Sequence, residues 1–310
     1  MPIFKTLSEV ADETNTEAYV IGGFVRDLLL GRDVTDLDVV TVGDGIEFAR
    51  SVSKKLDNQP VKVFKNFGTA MLKFAEWDLE FVGARKESYA RDSRKPEVEP
   101  GTLNDDQLRR DFSINALAIS LNKHDRGELS DPFNGVNDLK AGVIRTPTDP
   151  HTTYSDDPLR MMRAIRFATQ LGFNIEDASL SAIAEMKNRL DIVSAERISA
   201  ELNKIILSAK PSIGFKLLFR TGLLNEFFPE LVNLQGVEEQ DGIRHKDNFY
   251  HTLEVLDNVA AESDNLWLRW SAILHDIAKP PTKRFQPGTG WTFHGHEDRG
   301  ARMVPKILKR

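Results

Sequence analysis

The sequence predicts an α+β fold, with a mixed β-sheet in its first half and helices in its second half. Up to about residue 145, short β-branched segments alternate with stretches of helical periodicity, which indicates strands and helices packed in layers. From about residue 150 the strand pattern stops and helical spacing dominates. At 310 residues the chain is long enough for two or more domains and a sizeable core.

The first part contains six strand-like segments, which are short, alternate in polarity and are rich in β-branched or aromatic residues. They are Ala18–Ile21, Leu37–Val42, Val61–Phe64, Thr69–Phe74, Leu79–Val82 and Ala116–Ser120. Three segments with helical spacing accompany them, at Ile3–Glu13, Phe24–Leu30 and Gly45–Leu56. The charged stretch Lys86–Leu103 contains Pro96 and Pro100, and this composition predicts a mobile loop.

The second part carries apolar residues at intervals of three and four, which predicts helices. These helices are Pro158–Leu171, Ala178–Leu190, Ala195–Leu207, Ile213–Thr221, Phe249–Ala261 and Leu266–Ala278. Side chains among residues 174–177, and that of Ser194, are suitable N-caps for two of them. The chain therefore divides into a mixed α and β first part and an all-helical remainder.

The composition favours a cytoplasmic protein. Without cysteine, the chain has no disulfide and no Cys-ligated zinc. No apolar run approaches the roughly 18 residues of a spanning helix, and the first residues lack a secretory pattern, so we expect no membrane association. A net charge of −6 gives no general support for nucleic-acid binding. Any RNA contact would depend on local basic segments, for which the candidates are Arg85–Lys95, the set Arg160, Arg163 and Arg166, and Lys306–Arg310.

Residues 22–38 carry the most specific pattern in the chain. Asp36 and Asp38 flank Leu37 where a predicted strand begins, so in extended backbone the two carboxylates share one face and repel each other unless a cation lies between them. Mg²⁺ takes ligands of this kind together with substrate phosphates. Gly22-Gly23 fits a turn at which backbone N–H groups approach a phosphate. Taken alone, an Asp-x-Asp pair is more often a solvated strand end.

Three further segments carry candidate functional residues. Glu80, in a strand-like segment, is a candidate third metal ligand, although an edge-strand carboxylate is equally consistent with the pattern. The run Arg109–Ala116 offers an arginine fork for phosphate or ribose oxygens, and a helix-end ion pair is the alternative. Asp157 and Arg160 are three residues apart at a helix start marked by Pro158, so they share a face. The alternative is an ordinary capped helix with an ion pair between these two residues.

Together and in this order, these motifs resemble the class II tRNA nucleotidyltransferases, which include the bacterial CCA-adding enzymes and related poly(A) polymerases. The resemblance covers roughly residues 15–300. It implies a polymerase-beta-like nucleotidyltransferase head over residues 1–145, a helical neck for base recognition and RNA binding over 146–210, and a helical body over 211–310. It also implies that Asp36, Asp38 and Glu80 form a catalytic site that holds two Mg²⁺ ions through the two aspartates.

The resemblance further implies which residues bind the nucleotide. They are Gly22, Gly23, Arg26, Arg110, Asp111, Asn115, Asp157, Arg160, Arg163 and Arg166. In the family, the pair that matches Asp157 and Arg160 reads the incoming base. A carboxylate accepts from the exocyclic amine of cytosine or adenine and a guanidinium donates to the adjacent ring nitrogen, whereas guanine and uracil mismatch both groups. A protein template of this kind selects C and A without a nucleic-acid template.

Two other motifs are predicted to have structural rather than chemical roles. In the segment Asp131–Leu139, Gly135 suits a turn and Asp138 a helix start, and the segment is predicted to act as a hinge after the head. In Glu196–Leu202, Glu196 and Glu201 flank Arg197, which indicates a network that positions the base-reading helix.

Near the C-terminal end, His251, His275 and Asp276 resemble an HD phosphohydrolase signature, and His294 and His296 follow. Imidazoles and a carboxylate can ligate a second divalent metal ion. The final aspartate of an HD site is not evident, so a retained helical scaffold is the alternative.

The predicted function is template-independent addition of C, A or both, from CTP and ATP, to the 3′ end of tRNA. Poly(A) polymerase and A-only or CC-only enzymes share these motifs. An HD-type phosphohydrolase with a degenerate head and a non-catalytic RNA-binding protein are the hypotheses from other classes.

Overall fold

The computed structural model describes residues 2–65, 68–88 and 97–309. Its chain forms two compact units, Met1–Asp156 and Asp157–Arg310. The first contains a seven-stranded sheet with helices and the second is mainly helical, so the predicted α+β class is confirmed.

The first unit contains six helices and ten strands within its described residues. The helices are α1 (Pro2–Glu13), α2 (Gly23–Leu29), α3 (Gly45–Lys55), α4 (Leu103–Leu108), α5 (Gly135–Ala141) and α6 (Pro150–Asp156). The strands are β1 (Ala18–Ile21), β2 (Asp36–Thr41), β3 (Val61–Phe64), β4 (Thr69–Phe74), β5 (Trp77–Gly83), β6 (Arg85–Ser88), β7 (Glu97–Pro100), β8 (Ala118–Ser120), β9 (Leu129–Ser130) and β10 (Val143–Ile144). All six predicted strands of this part are present, with ends shifted by at most two residues.

The main sheet has the strand order β3-β4-β5-β2-β1-β8-β9. Strands β2 and β5 are parallel, and the other neighbouring pairs are antiparallel, which makes the sheet mixed as predicted. One face belongs to the hydrophobic core of the unit. That core includes Leu7 of α1, Val52 of α3, and Leu37, Val39 and Phe81 of the central strands. Because side chains alternate along a strand, the acidic residues of β2 and β5 lie on the opposite face.

The predicted loop over residues 86–103 is wrong at both ends. Strands β6 and β7 form an antiparallel pair in which Arg85 lies opposite Pro100. Pro100 is tolerated because it is the last residue of its strand, where the missing N–H does not interrupt a ladder. Thr102 then starts α4 with a capping box to Asp105. Residues 89–96, which include Pro96 and most of the basic segment predicted at 85–95, lie outside the described residues.

The second unit contains ten helices and five short strands within its described residues. The helices are α7 (Leu159–Leu171), α8 (Asp177–Met186), α9 (Ala195–Ile206), α10 (Pro211–Arg220), α11 (Leu223–Phe227), α12 (Pro229–Val232), α13 (Asn248–Glu262), α14 (Leu266–Leu274), α15 (Lys279–Thr282) and α16 (His296–Ile307). The strands are β11 (Asn174–Ile175), β12 (Glu239–Gln240), β13 (Ile243–Arg244), β14 (Arg284–Gln286) and β15 (Gly290–Thr292).

These strands correct the prediction that this part contains helices alone, because β12 pairs with β13 and β14 with β15 as tight antiparallel ribbons. The sequence pattern does not predict these strands, because two or three residues are too few to show an alternation of apolar and polar side chains. Ser194 precedes α9 without a side-chain capping bond, whereas Asp247 and Asn265 cap α13 and α14. No described helix is long and apolar enough to cross a bilayer.

Candidate active site

Four carboxylates lie on the open face of the main sheet: Asp36 and Asp38 of β2, with Asp78 and Glu80 of β5. Asp36 and Asp38 alternate with fully buried Leu37 along β2, so both project away from the core. The parallel register places Glu80 of β5 directly beside Asp38. The structure therefore brings the three predicted carboxylates to one face of two adjacent strands. The backbones of neighbouring strands are about 4.8 Å apart.

The charges at this face are incompletely compensated. Burial raises the pKa of Asp38, Arg110 opposes the rise, and the carboxylates of Asp36 and Asp106 add to it. Burial and the charge of Asp38 likewise raise the pKa of Glu80, against the opposing effect of Arg85. A divalent cation would relieve this repulsion, and carboxylate oxygens are the ligands that Mg²⁺ prefers. The residues present thus fit a hard divalent metal ion.

Gly22 forms the other side of the carboxylate face. It follows β1, which is the neighbour of β2 opposite to β5. Its φ of 77° favours glycine, and a Cβ atom there would lie 2.8 Å from Arg110 Nη1 and 3.4 Å from Asp38 Oδ2. The absence of a side chain at position 22 thus allows the Arg110 guanidinium to approach Asp38. A cationic group suited to phosphate therefore adjoins the candidate metal ligands.

Asp106 holds this arginine and was missed by the sequence analysis. Its fully buried carboxylate accepts from Arg110 Nε at 3.2 Å and Nη2 at 3.0 Å through one oxygen, and from Arg109 Nε at 2.9 Å through the other. Burial alone would raise the pKa of Asp106, but the charges and hydrogen bonds of Arg110 and Arg109 outweigh burial and lower it. The spacings of three and four residues within and after α4 were the available signal.

Replacing Asp106 with asparagine is expected to destabilise the protein and to flatten its response to acid. Breaking a buried ion pair typically costs about 3 kcal/mol, because it leaves uncompensated charge. Since the folded pKa of Asp106 is lowered, its contribution is present above the unfolded pKa of about 4 and is lost as pH falls through the lower folded value. Thermal unfolding from pH 7 to 3 should show a smaller acid-induced loss of stability for Asp106→Asn than for the wild type. An equal loss in both proteins would contradict this account.

Arg26, Asn115 and Asp111 form a buried polar chain. Arg26 Nη1 donates to Asn115 Oδ1 at 2.8 Å, and Asn115 Nδ2 donates to Asp111 Oδ1 at 2.9 Å. Arg26 also pairs with its neighbour Asp27. These residues, predicted to contact the nucleotide, thus fix one another and join α2 to the segment after Arg110. A preorganised set of this kind can hold ribose or phosphate oxygens without rearranging.

The predicted hinge segment is a capped helix start. The carboxylate of Asp131 accepts from the backbone N–H of Gly135 at 2.6 Å and of Val136 at 3.0 Å. The left-handed turn residue is Asn134 rather than Gly135, whose missing side chain instead admits the Ser113 carbonyl oxygen, 2.4 Å from where a Cβ would be. Asp138 lies in the first turn of α5 and accepts from Ser113 Oγ at 2.6 Å. Residues after Arg110 are thereby anchored to α5.

The predicted base-reading pair lies at the start of α7 in the second unit. The carboxylate of Asp157 accepts from the backbone N–H of Leu159 at 3.1 Å, which confirms its capping position. Arg160 is three residues later and is 8% exposed. Arg163, one turn further along, is half-buried and its guanidinium lies 5.5 Å from the Phe167 ring centroid. The geometry of the helix start therefore matches the sequence prediction.

Arg166, one of the basic residues named as candidates for RNA or nucleotide contact, is buried against Phe167 and Glu201. Its guanidinium carbon lies 3.9 Å from the Phe167 ring centroid, and its Nε lies 2.6 Å from Glu201 Oε2 on α9. Arg166 and Glu201 are 9% and 4% exposed. Lys204 Nζ completes the cluster, 3.0 Å from the other Glu201 oxygen. The motif that contains Glu201 therefore has the structural role predicted for it, because this ion pair ties α9 to α7.

Replacing Glu201 with glutamine should lower the free energy of unfolding by about 3 kcal/mol, because buried Arg166 loses its counter-ion. Chemical denaturation monitored by circular dichroism measures the change. Glu196→Gln, an exposed residue in the first turn of the same helix, removes the same charge and should change stability by less than about 0.5 kcal/mol. Equal effects of the two variants would rule out a structural role for the Glu201–Arg166 pair.

A second group of potential metal ligands lies in the second unit. One ligand atom from each of His251, His275 and Asp276 lies within 4.8 Å of the other two. Within residues 2–65, 68–88 and 97–309, no such group includes Asp36, Asp38 and Glu80 together. His296 Nε2 is 3.5 Å from Asp276 Oδ1, and Lys279 Nζ is 2.6 Å from Asp276 Oδ2. Hydrogen bonds from His275 and Lys279 overcome burial and lower the pKa of Asp276 to about 2. This donor set fits a divalent metal ion.

Comparisons with known proteins match these two sites to known domains. The family profile described as "Poly A polymerase head domain" matches residues 18–145. The profile "Probable RNA and SrmB- binding site of polymerase A" matches 172–234, and an HD domain profile matches 248–310. A multifunctional CCA protein of Shewanella frigidimarina is 32% identical over 299 residues, which cover 94% of this chain and 69% of that protein. The chain belongs to the tRNA nucleotidyltransferase and poly(A) polymerase family.

Other family members differ in how much of their length they share with this chain. An A-adding tRNA nucleotidyltransferase of Aquifex aeolicus is 44% identical over 171 residues, which are 55% of this chain and only 20% of that protein. Among solved structures, a tRNA nucleotidyltransferase complexed with a primer tRNA and an incoming ATP analog has a TM-score of 0.69 and 28% identity, over 98% of this chain and 83% of that one. The resemblance inferred from the motifs is thus confirmed.

Proposed function

We propose that this protein adds C, A or both to the 3′ end of tRNA, taking the nucleotide from CTP or ATP and releasing pyrophosphate. The observation that carries this proposal is the face on which Asp36, Asp38 and Glu80 lie beside Gly22 and Arg110. Relatives whose names specify CCA or A addition support the choice of tRNA as substrate. We expect the protein to act in the cytoplasm, where its proposed substrates are.

Each part of the head has a role in this reaction. Asp36 and Asp38, with Glu80, would hold two Mg²⁺ ions, which when bound favour attack by the RNA 3′-hydroxyl on the α-phosphate and stabilise the leaving pyrophosphate. Arg110, oriented by Asp106, binds the triphosphate. The buried chain of Arg26, Asn115 and Asp111 positions the sugar. Gly22 and Gly23 allow the backbone to approach the phosphates.

The proposed domain organisation follows these roles. The head spans residues 1–145, the neck 146–210 and the body 211–310. In the neck, Asp157 and Arg160 read the exocyclic amine and the adjacent ring nitrogen of cytosine or adenine, and Arg163 and Arg166 support this helix face. Poly(A) polymerase and A-only or CC-only enzymes share these motifs, so their activities are the alternatives within the class. An A-adding relative supports the A-only alternative.

Incorporation of labelled CTP, ATP, GTP and UTP separates these activities. The acceptors are tRNAs that end before CCA, after C and after CC, each with Mg²⁺. Ordered addition of two C and one A identifies CCA addition, and A or C alone identifies a partial activity. Many successive A residues identify poly(A) synthesis. Equal use of all four nucleotides would contradict base reading by Asp157 and Arg160.

The His251, His275 and Asp276 group supports a second candidate activity, a metal-dependent phosphohydrolase. Protein that has been stripped of metal with a chelator should hydrolyse phosphomonoesters or cyclic phosphates only after a divalent metal ion is added back. Asp276→Ala should remove this activity and leave nucleotide incorporation intact, while Asp38→Ala should do the reverse. Hydrolysis that survives Asp276→Ala would contradict the assignment.

A further inference from the structure

The open face of the main sheet continues past Glu80 as a surface that combines exposed apolar and cationic side chains. We define the outer patch as Lys62 and Phe64 of β3 with Met71 and Lys73 of β4. On both strands the alternate residues pack into the core: Val61 and Val63 lie against it and Leu72 is buried within it. Phe64 is 42% exposed and Met71 39% exposed, although both belong to regular strands.

The strand registers place the outer patch directly beside the candidate metal ligands. Met71 pairs with Glu80 across β4 and β5, and Lys62 pairs with Met71 across β3 and β4. At about 4.8 Å per strand, Met71 lies one strand and Lys62 two strands beyond Glu80. Gly22 and Arg110 lie on the other side of Asp38. The carboxylates therefore separate two unlike surfaces, one with an arginine fork and one with exposed apolar groups.

We propose that the outer patch binds the last nucleotides of the RNA strand that carries the attacking 3′-hydroxyl. This inference rests on the proposed nucleotidyl transfer. In such a transfer the attacking and leaving oxygens lie roughly in line on opposite sides of the α-phosphorus. If Arg110 binds the triphosphate, the leaving pyrophosphate lies on the Gly22 side. The attacking strand then approaches from the opposite side, across Glu80 and the outer patch.

The composition of the outer patch suits single-stranded RNA. Aromatic rings provide stacking platforms for bases, and the polarisable thioether of methionine also makes favourable contacts with aromatic rings. Lys62 forms no ion pair with any described residue, and Lys73 pairs at 3.3 Å with half-exposed Asp78. Two ammonium groups beside two exposed apolar groups match phosphates that alternate with bases. A protein partner that covers this face would need a counter-charge for these lysines.

The test compares steady-state parameters for the RNA acceptor and for the nucleotide. The double variant Phe64→Ala/Met71→Ala should raise KM for a tRNA acceptor by about tenfold or more, with KM for ATP or CTP unchanged. Phe64→Trp keeps a stacking ring and should stay within about twofold of the wild type. Leu129→Ala, an exposed apolar residue on edge strand β9 at the other end of the sheet, is the matched control and should have no effect.

The lysines are tested by the salt dependence of acceptor binding. Each phosphate contact on single-stranded nucleic acid contributes about −0.7 to the slope of log K against log salt concentration. Lys62→Ala/Lys73→Ala should therefore make this negative slope shallower by about 1.4, whereas Lys5→Ala on α1 should leave it unchanged. An unchanged acceptor KM in the Phe64/Met71 variant, or an unchanged slope in the lysine variant, overturns the inference. Failure of the wild type to incorporate any nucleotide would instead reject the proposed function itself.

Discussion

Replacing Asp38 with alanine is expected to lower nucleotide incorporation by about a thousandfold or more. The carboxylate lies between Glu80 and Arg110, and burial together with neighbouring carboxylates raises its pKa, so it is the group whose charge a bound metal ion would balance. Loss of metal-assisted stabilisation of the transition state removes several kcal/mol, and each 1.36 kcal/mol changes the rate tenfold. Single-turnover incorporation of labelled ATP into tRNA ending in CC measures the effect.

Asp33→Ala provides the matched control for this substitution. Asp33 is an exposed carboxylate five residues earlier, outside the strand, and its loss should leave the rate within about twofold of the wild type. Circular dichroism and thermal unfolding should show that both variants fold. If Asp38→Ala retains near-normal incorporation, the assignment of the metal site to β2 is wrong.

Replacing Asp157 with asparagine is expected to change which nucleotides are used while preserving the helix. Asparagine is as good an N-cap as aspartate, so the bond to the Leu159 N–H and the start of α7 should persist. The amide nitrogen, however, donates at the position where the carboxylate is proposed to accept from an exocyclic amine. We expect kcat/KM for CTP and ATP to fall about 100-fold relative to that for UTP and GTP, because a mismatched polar group in a hydrogen-bonding site is left unpaired.

Competition among the four nucleotides measures this change in selectivity. The control is Asp177→Asn, which makes the same replacement in the first turn of α8 at an exposed position. It should leave the selectivity as in the wild type. Unchanged preference for C and A in Asp157→Asn would show that the base is read elsewhere.

The sequence predicted the carboxylate face because one strand carries its essential pattern. Asp36, Leu37 and Asp38 alternate over three residues, so their faces follow from strand geometry alone. The position of Glu80 beside Asp38 required the parallel pairing of β2 and β5, which connects residues 42 positions apart in sequence, so the local pattern left an edge-strand carboxylate as an equal alternative. Local patterns thus predict faces of elements, but not which elements become neighbours.

Supporting residues were harder to predict for the same reason. Glu201 meets Arg166 across two helices, and Arg26 meets Asn115 across 89 positions, so no local spacing indicates either contact. Asp106 was missed despite favourable spacing to Arg109 and Arg110, because an acid near arginines ordinarily suggests a solvated helix end. The pairing of β6 with β7 was not predicted, because charged residues and proline are as typical of a loop as of a short exposed strand.

The most direct measurement of the central claim is the fate of each phosphorus atom of ATP. Wild-type protein is incubated with Mg²⁺ and a tRNA ending in CC, in parallel reactions with ATP labelled at the α- or the γ-phosphate. Nucleotidyl transfer at the carboxylate face predicts that the α label enters the RNA and the γ label appears in pyrophosphate in equal amount, both lost in Asp38→Ala. Entry of the γ label into RNA, or incorporation that persists in Asp38→Ala, would contradict the account.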